Sequence, residues 1–264
     1  MASPNILHWR TDFLDRLQLR EPIAQSVALV LAHPDDETAS ASGLLQRLEQ
    51  PRLIYLTDGA PRDLVDAKRA GFSDSRGYAA ARKRELKAAL RALGVTAELI
   101  FYDYPDKQAL DYLPEIVDRL VADLAAADVV VSHAYEHGHP DHDTAAVAVA
   151  LACERLGDAA PERVEFAGYH LEKAGPVYGA FRVKGDEITS SLSPGELRAK
   201  RDAIAAFSSQ HETLAQFPLS PERFRRTPTY EFRGAAPPGQ ALYDLYGWEI
   251  TSARWRSRLA EILP

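Results

Sequence analysis

The 264-residue sequence predicts an α/β protein: a doubly wound, mostly parallel sheet with helices on both faces, in a single domain. Short apolar runs of strand length alternate with segments of helical periodicity, which is the signature of strand–helix–strand crossovers. The composition, 46% hydrophobic and 26% charged, is that of a globular chain with one core and excludes disordered and fibrous architectures.

The elements follow in chain order. Val27–Ala32 is almost continuously apolar and rich in β-branched residues, as a strand covered on both faces is. The segment from Thr38 reads as helical, and Leu53–Thr57 as a second strand. Ala79–Leu93 is built from Ala, Leu, Lys and Arg, strong helix formers, and Gly94 stops it. Glu98–Tyr102 is the third strand. Leu113, Ile116, Val117, Leu120, Val121 and Leu124 then recur at three- and four-residue spacing and form one apolar stripe on a helix. Val129–Ser132 is the fourth strand, of the same buried kind as the first. Asp143–Leu156, rich in Ala and Val, is a helix closed by Gly157, and Val164–Tyr169 is a fifth strand. Beyond about residue 190 the alternation fades. Ser193-Pro194-Gly195-Glu196 is a capping box with proline at the first helical position, opening a helix through Phe207. The Pro- and Arg-rich stretch Phe217–Gly239 reads as a long loop, either a lid or pocket wall or a plain surface excursion. Pro237-Pro238-Gly239 is a turn inside this tail. The arrangement is Rossmann-like, one domain over 1–264, with a core of about 25–215 and a tail, 216–264, packed on it as pocket wall or lid.

Charge and cysteine content narrow the function. With 31 basic against 38 acidic residues the net charge is −7, a sign that repels a phosphate backbone, so no nucleic-acid partner is expected. The single cysteine, Cys153, supports neither an internal disulfide nor a thiolate metal site. No apolar run is long enough to span a bilayer, and Met1–Arg10 lacks the pattern of a signal peptide. The expectation is a cytoplasmic protein without a membrane partner.

In doubly wound sheets, ligands bind beyond the carboxyl ends of the strands. The first strand runs straight into His33-Pro34-Asp35-Asp36-Glu37, and the fourth into His133 and then His137-Gly138-His139-Pro140-Asp141-His142-Asp143. Adjacent carboxylates repel unless a cation or a helix N-terminus compensates them. Capping of the following helix is the plain alternative for the acidic trio. The histidine cluster at a second strand end of the same sheet favours a metal instead. His33 and Asp36 supply two ligands from one loop, and His142 is the natural third. That leaves a fourth position for water, as a catalytic zinc requires. Asp35 is then free to serve as general base, and His139 to polarise a carbonyl or stabilise an oxyanion.

These motifs together resemble the PIG-L (LmbE-like) zinc-dependent de-N-acetylases. The resemblance extends to Thr57-Asp58-Gly59-Ala60, the helix bearing Arg82 and Glu85, Tyr104-Pro105-Asp106, and Lys200 through Ser209-Gln210, roughly residues 25–215. It implies one Zn2+ per chain on His33, Asp36 and His142, with Asp35 as base and His139 beside the tetrahedral intermediate. Arg82 matches a position that reaches the sugar, although a solvated helix residue is its plain reading. Asp141 orients a ligand histidine, and Glu37 supports the loop or caps the helix. His137 stands where the mycothiol-pathway branch carries a tyrosine, with Tyr135 two residues earlier, so a substrate contact is one role for it and simple exposure the other. The implied reaction is removal of an N-acetyl group from an N-acetylglucosamine-type sugar or conjugate. A 2-His-1-carboxylate non-haem iron enzyme, a metal-dependent phosphoesterase and a silent sugar-binding module are the rivals. Specificity is expected in the loops around Asp58–Asp74, Asp103–Asp106 and Phe217–Gly239. Tyr230, Phe232, Tyr243, Tyr246 and Trp248 are read as core aromatics or as sugar-stacking platforms. Oligomeric state, a homo-oligomer included, stays open.

Overall fold

The computed structural model describes residues 12–234 and 236–263, so the reading of Met1–Arg10 lies outside the described residues. Five parallel strands form the body of the sheet: β1 (Val27–Leu31), β2 (Arg52–Thr57), β3 (Glu98–Tyr104), β4 (Val129–His133) and β5 (Glu162–Phe166). After β5 the chain makes a separate hairpin, β6 (Tyr169–Glu172) with β7 (Gly175–Tyr178). It returns to the sheet as β8 (Glu187–Ser190) and β9 (Glu222–Arg226), both antiparallel to their partners, giving the order β3-β2-β1-β4-β5-β9-β8.

Side-chain alternation along these strands sorts the core into two halves. Leu29, Leu31, Leu53 and Tyr55 face one side, where they meet α1 (Phe13–Leu19), α2 (Asp36–Ser40) and α3 (Ser42–Leu45). A short helix α4 (Val65–Arg69) leads to α5 (Ser75–Leu93), which packs on that same side. Ala28, Val30, Ile54 and Leu56 face the other side, against α6 (Leu113–Leu124) and α7 (Pro140–Leu156). Leu113, Ile116, Val117, Leu120 and Leu124 are all buried there, as their spacing predicts. The first side is completed by α8 (Pro194–Ala206) and α9 (His211–Leu214). Near the C-terminus, α10 (Leu242–Leu245) precedes α11 (Ser252–Ile262), whose Trp255 and Leu259 enter the second half of the core.

The boundaries differ from the sequence reading for local reasons. Asp74 accepts a hydrogen bond from Gly77 N–H and starts α5 four residues before Ala79. Pro140 opens α7 at its first turn, ahead of Asp143, with His139 as the cap. The run Val164–Tyr169 is two strands of different sheets. The tail beyond Phe217 is not all loop: Glu-Arg-Phe-Arg-Arg, a polar stretch by composition, is the inserted strand β9. It enters the sheet because its charges find buried partners. Arg225 Nε donates to Glu165 Oε1 at 2.6 Å, and Glu222 accepts from Lys200 Nζ at 3.0 Å.

The sheet order changes direction between β1 and β4, adjacent parallel strands whose crossovers leave on opposite sides. The crevice beyond their carboxyl ends is the place where this topology leaves room for a ligand. The start of α7 beside that crevice is tied to the tail, since Trp255 Nε1 donates to Pro140 O at 3.1 Å and Thr144 Oγ1 at 3.2 Å. Trp255→Ala should therefore cost about 3–5 kcal/mol of stability, read as a lowered midpoint in chemical denaturation.

Candidate metal centre and active site

Beyond β1 the chain turns sharply at Asp35, whose φ of 139° lies outside the range usual for a side-chain-bearing residue. Several bonds hold this strained turn. His33 N–H donates to Asp36 Oδ2 at 2.7 Å, and Asp35 N–H to Glu37 Oε2 at 3.0 Å. From α5, Arg82 donates to Pro34 O at 2.7 Å, Asp35 Oδ2 at 2.8 Å and Gly59 O at 2.6 Å. Gly59, at φ +63°, is required here, because a Cβ would collide with the Arg82 guanidinium.

The second wall comes from β4 and the start of α7. His133, the last residue of β4, accepts the Ala32 N–H on Nε2 at 3.0 Å and stacks on His142 with centroids 4.0 Å apart. Gly138 admits no side chain, since its Cβ position is already filled by the Tyr169 carbonyl oxygen. His139 caps α7 by accepting Asp141 N–H on Nδ1 at 3.1 Å. Burial, reinforced by His33, pushes His139 well below its ordinary pKa, so the ring is neutral and its hydrogen sits on Nε2. That nitrogen is 3.7 Å from Asp106 Oδ1.

Ligand atoms converge on Asp36. Its Oδ2 is 3.5 Å from His33 Nδ1 and 3.3 Å from His133 Nε2, and its Oδ1 is 3.2 Å from His142 Nε2. His142 Nε2 is buried without a hydrogen-bond partner among the described residues, which is what a ring nitrogen aimed at a cation requires. Asp36, His133 and His142 bring ligand atoms within 4.8 Å of one another, as do His33, His139 and His142. Such a donor set of imidazoles and a carboxylate fits a divalent metal. Burial opposes ionisation of Asp36, yet His142 and His133 hold it well below the usual carboxylate range. Asp141 backs His33: its Oδ2 is 3.3 Å from His33 Nε2 and accepts Lys107 N–H at 2.6 Å, while its Oδ1 accepts Ala109 N–H at 3.1 Å. Burial pushes Asp35 up to about 7 against the pull of Arg82.

Residues 28–153 match the family model described as PIG-L, GlcNAc-PI de-N-acetylase. Over that stretch the chain is similar to the PIG-L family. No curated protein matches it. Among solved structures it is similar to the zinc-inhibited form of teicoplanin deacetylase Orf2, with a TM-score of 0.55 at 16% identity, covering 77% of this chain and 100% of that one. It is similar also to N,N'-diacetylchitobiose deacetylase from Pyrococcus horikoshii, with a TM-score of 0.51 at 18% identity over 84% and 88% of the two chains. The 4-carboxy-2-hydroxymuconate hydratase GalB from Pseudomonas putida is a further match, with a TM-score of 0.50 at 22% identity over 72% and 82%. At these identities the likeness is one of fold.

The structure gathers His33, Asp35, Asp36, His139, Asp141 and His142 into one buried cluster. Glu37 supports the loop: it is fully buried, receives the Asp35 N–H and accepts the Tyr55 hydroxyl at 3.3 Å. Two readings are corrected. Arg82 is not a solvated residue, because only 4% of it is exposed and its guanidinium donates to the Asp35 turn. His137 is not exposed: its Nδ1 is 2.7 Å from Asp143 Oδ2, with the Tyr243 hydroxyl 3.2 Å away, in a box with Tyr135 and Trp255.

His133 and Asp106 join the cluster without having been assigned a role from the sequence. Asp106 Oδ1 lies 3.3 Å from His33 Nε2 and has no hydrogen-bond partner among the described residues. Position at a strand end was the signal for both: His133 ends β4, and Asp106 follows β3 by two residues. Gly138→Ala should displace the His139 loop, lowering stability by about 1–3 kcal/mol and metal content with it. Thermal unfolding and elemental analysis of the purified variant measure the two effects.

Proposed function

We propose that the protein is a zinc-dependent de-N-acetylase acting on an N-acetylglucosamine-type sugar or its conjugate. The observation that carries this reading is the buried Asp36–His142 pair with its unpartnered ring nitrogen, set beside a carboxylate, Asp35, that Arg82 holds in place. The PIG-L match supports amide hydrolysis as the reaction. His33, Asp36 and His142 would hold the metal, with His133 against Asp36. When bound there, a zinc ion supplies Lewis acidity that makes water a nucleophile at neutral pH and polarises the acyl carbonyl.

The remaining chemistry belongs to the side chains. Asp35 takes a proton from the attacking water as the new C–O bond forms at the acyl carbon. The neutral His139 donates its Nε2 hydrogen to the developing oxyanion. As the C–N bond breaks, the proton held by Asp35 passes to the amine nitrogen, so acetate and a free amino sugar leave. Arg82 keeps the Asp35 carboxylate aimed, and Asp141 keeps the His33 ring from turning. An imidazole-rich set favours zinc over the magnesium of a phosphoesterase, and the α/β sheet argues against the β cores common among non-haem iron oxygenases. The net negative charge of −7 agrees with a small neutral substrate rather than a nucleic acid.

Asp35→Asn should keep its zinc and lose about 10²–10⁴-fold in kcat, the contribution of a general base. His142→Ala should lose both zinc and turnover. Metal content beside acetate release from N-acetylated sugars checks both, and equal zinc with equal rates in the two variants would contradict the division of roles.

A further inference from the structure

The turn that carries His139 and His142 is held from behind by a polar group that the proposed chemistry does not use. Its members are His137, Asp143 and, from the tail, Tyr243. Asp143 and Tyr243 have no exposed surface and His137 only 2%. None of the three supplies an atom to the groups of potential metal ligands among the described residues. His137 sits at φ +58°, a left-handed conformation uncommon for a residue with a side chain, so its surroundings must hold it there.

They do so at three points. The His137 N–H donates to Asp143 Oδ1 at 3.0 Å, and the ring Nδ1 lies 2.7 Å from Asp143 Oδ2. Carboxylate oxygens accept, so the ring hydrogen is assigned to Nδ1. The His137 carbonyl accepts the Leu242 N–H at 2.9 Å. Residues 137 and 143 are the two ends of the turn, and a single carboxylate thus closes it. Inside the turn, Gly138 abuts the Tyr169 carbonyl and His139 Nδ1 accepts the Asp141 N–H at 3.1 Å. The tail completes the closure. Leu242 grips the backbone at one end, and the next residue, Tyr243, donates its hydroxyl to Asp143 Oδ2 at the other, 3.2 Å away.

We infer that His137, Asp143 and Tyr243 form a latch through which the tail positions His139 for the reaction. Asp143 and Tyr243 are positioning residues that act through His139. The inference rests on the de-N-acetylase reading, in which His139 donates to the developing oxyanion. That bond belongs to the transition state, so a displaced ring lowers kcat and leaves KM in place.

Acetate release from N-acetylglucosamine by the zinc enzyme and its variants tests the latch. Tyr243→Phe keeps the ring and loses one hydrogen bond, so kcat should fall about tenfold with KM and zinc content unchanged. Asp143→Asn should lower kcat by about 10²-fold, the loss that a shift of ~1 Å in a catalytic group produces. Asparagine tolerates a left-handed backbone and its side-chain amide can donate where Nδ1 does, so His137→Asn should stay within about threefold of the native rate. His137→Ala should fall as far as Asp143→Asn. Nitrogen NMR of ring-labelled histidine, with His139 assigned through His139→Gln, reads the same ring without turnover. Its signals should move in Tyr243→Phe and Asp143→Asn. Native kcat in both of these variants, zinc lost from Tyr243→Phe, His139 signals unmoved in both, or a His137→Asn rate as low as that of His137→Ala overturns the inference. Moved His139 signals, with no acetate released by the native enzyme from any sugar, uphold the latch and overturn the de-N-acetylase.

Discussion

Buried negative charge at the ends of β1 and β4 is the constraint around which the upper rim of the sheet is organised. Asp35, Asp36, Asp106 and Asp141 are all buried within one cluster. An uncompensated carboxylate in such surroundings is prohibitively costly, so each needs a cation or directed N–H groups. The compensation comes from every neighbouring element. Arg82 reaches in from α5, backbone N–H groups of Lys107 and Ala109 from the segment after β3, and imidazoles from β4 and α7. Asp106 Oδ1 and His142 Nε2 retain unused bonding capacity, and this residue of unmet demand is what makes the cluster fit for a metal and a substrate rather than for stability alone.

Behind this rim the helix headed by Asp36 is braced by a second buried ion pair. Lys200, with no exposed surface, donates from α8 to Ala39 O at 2.9 Å and to Glu222 Oε1 at 3.0 Å. The same carboxylate accepts from Ser42 Oγ at 2.8 Å and from Gly43 N–H at 3.1 and 3.0 Å. One glutamate thus joins β9, α8 and the start of α3, and Asp36 at the head of α2 inherits that rigidity. The sheet supplies position, while these polar clamps supply orientation. A site that must hold ligand atoms to a few tenths of an ångström needs both.

The fold does not by itself decide the chemistry. Deacetylases and a hydratase share this sheet arrangement with the chain at comparable similarity, as expected where function resides in grafted side chains. What distinguishes this molecule is the particular set at its strand ends and the cleft that the tail builds beside it. Trp248, Arg254 and Arg258 of the tail are among the residues that line that cleft. No helix among the described residues is long and apolar enough to cross a membrane.

Much of this was legible in the order of residues alone. Continuous apolar runs identified β1 and β4, and the motifs directly after them had to emerge together at one crevice once those strands were parallel neighbours. Asp141 lies against the His33 ring, and Glu37 accepts the Asp35 N–H. By contrast, β9 reads as polar loop because its Glu222 and Arg225 are buried only by virtue of Lys200 and Glu165, far away in the chain. For the same reason Arg82 reads as one more cation on a basic helix, and His137 as a candidate for the site. Local sequence determined which segments form strands, where helices begin, and which chemistry gathers at the strand ends, because periodicity and capping act over a few residues. Only the tertiary structure decided which charges face the site and which are consumed in holding it, because the energy of a buried charge depends on partners that distant segments deliver.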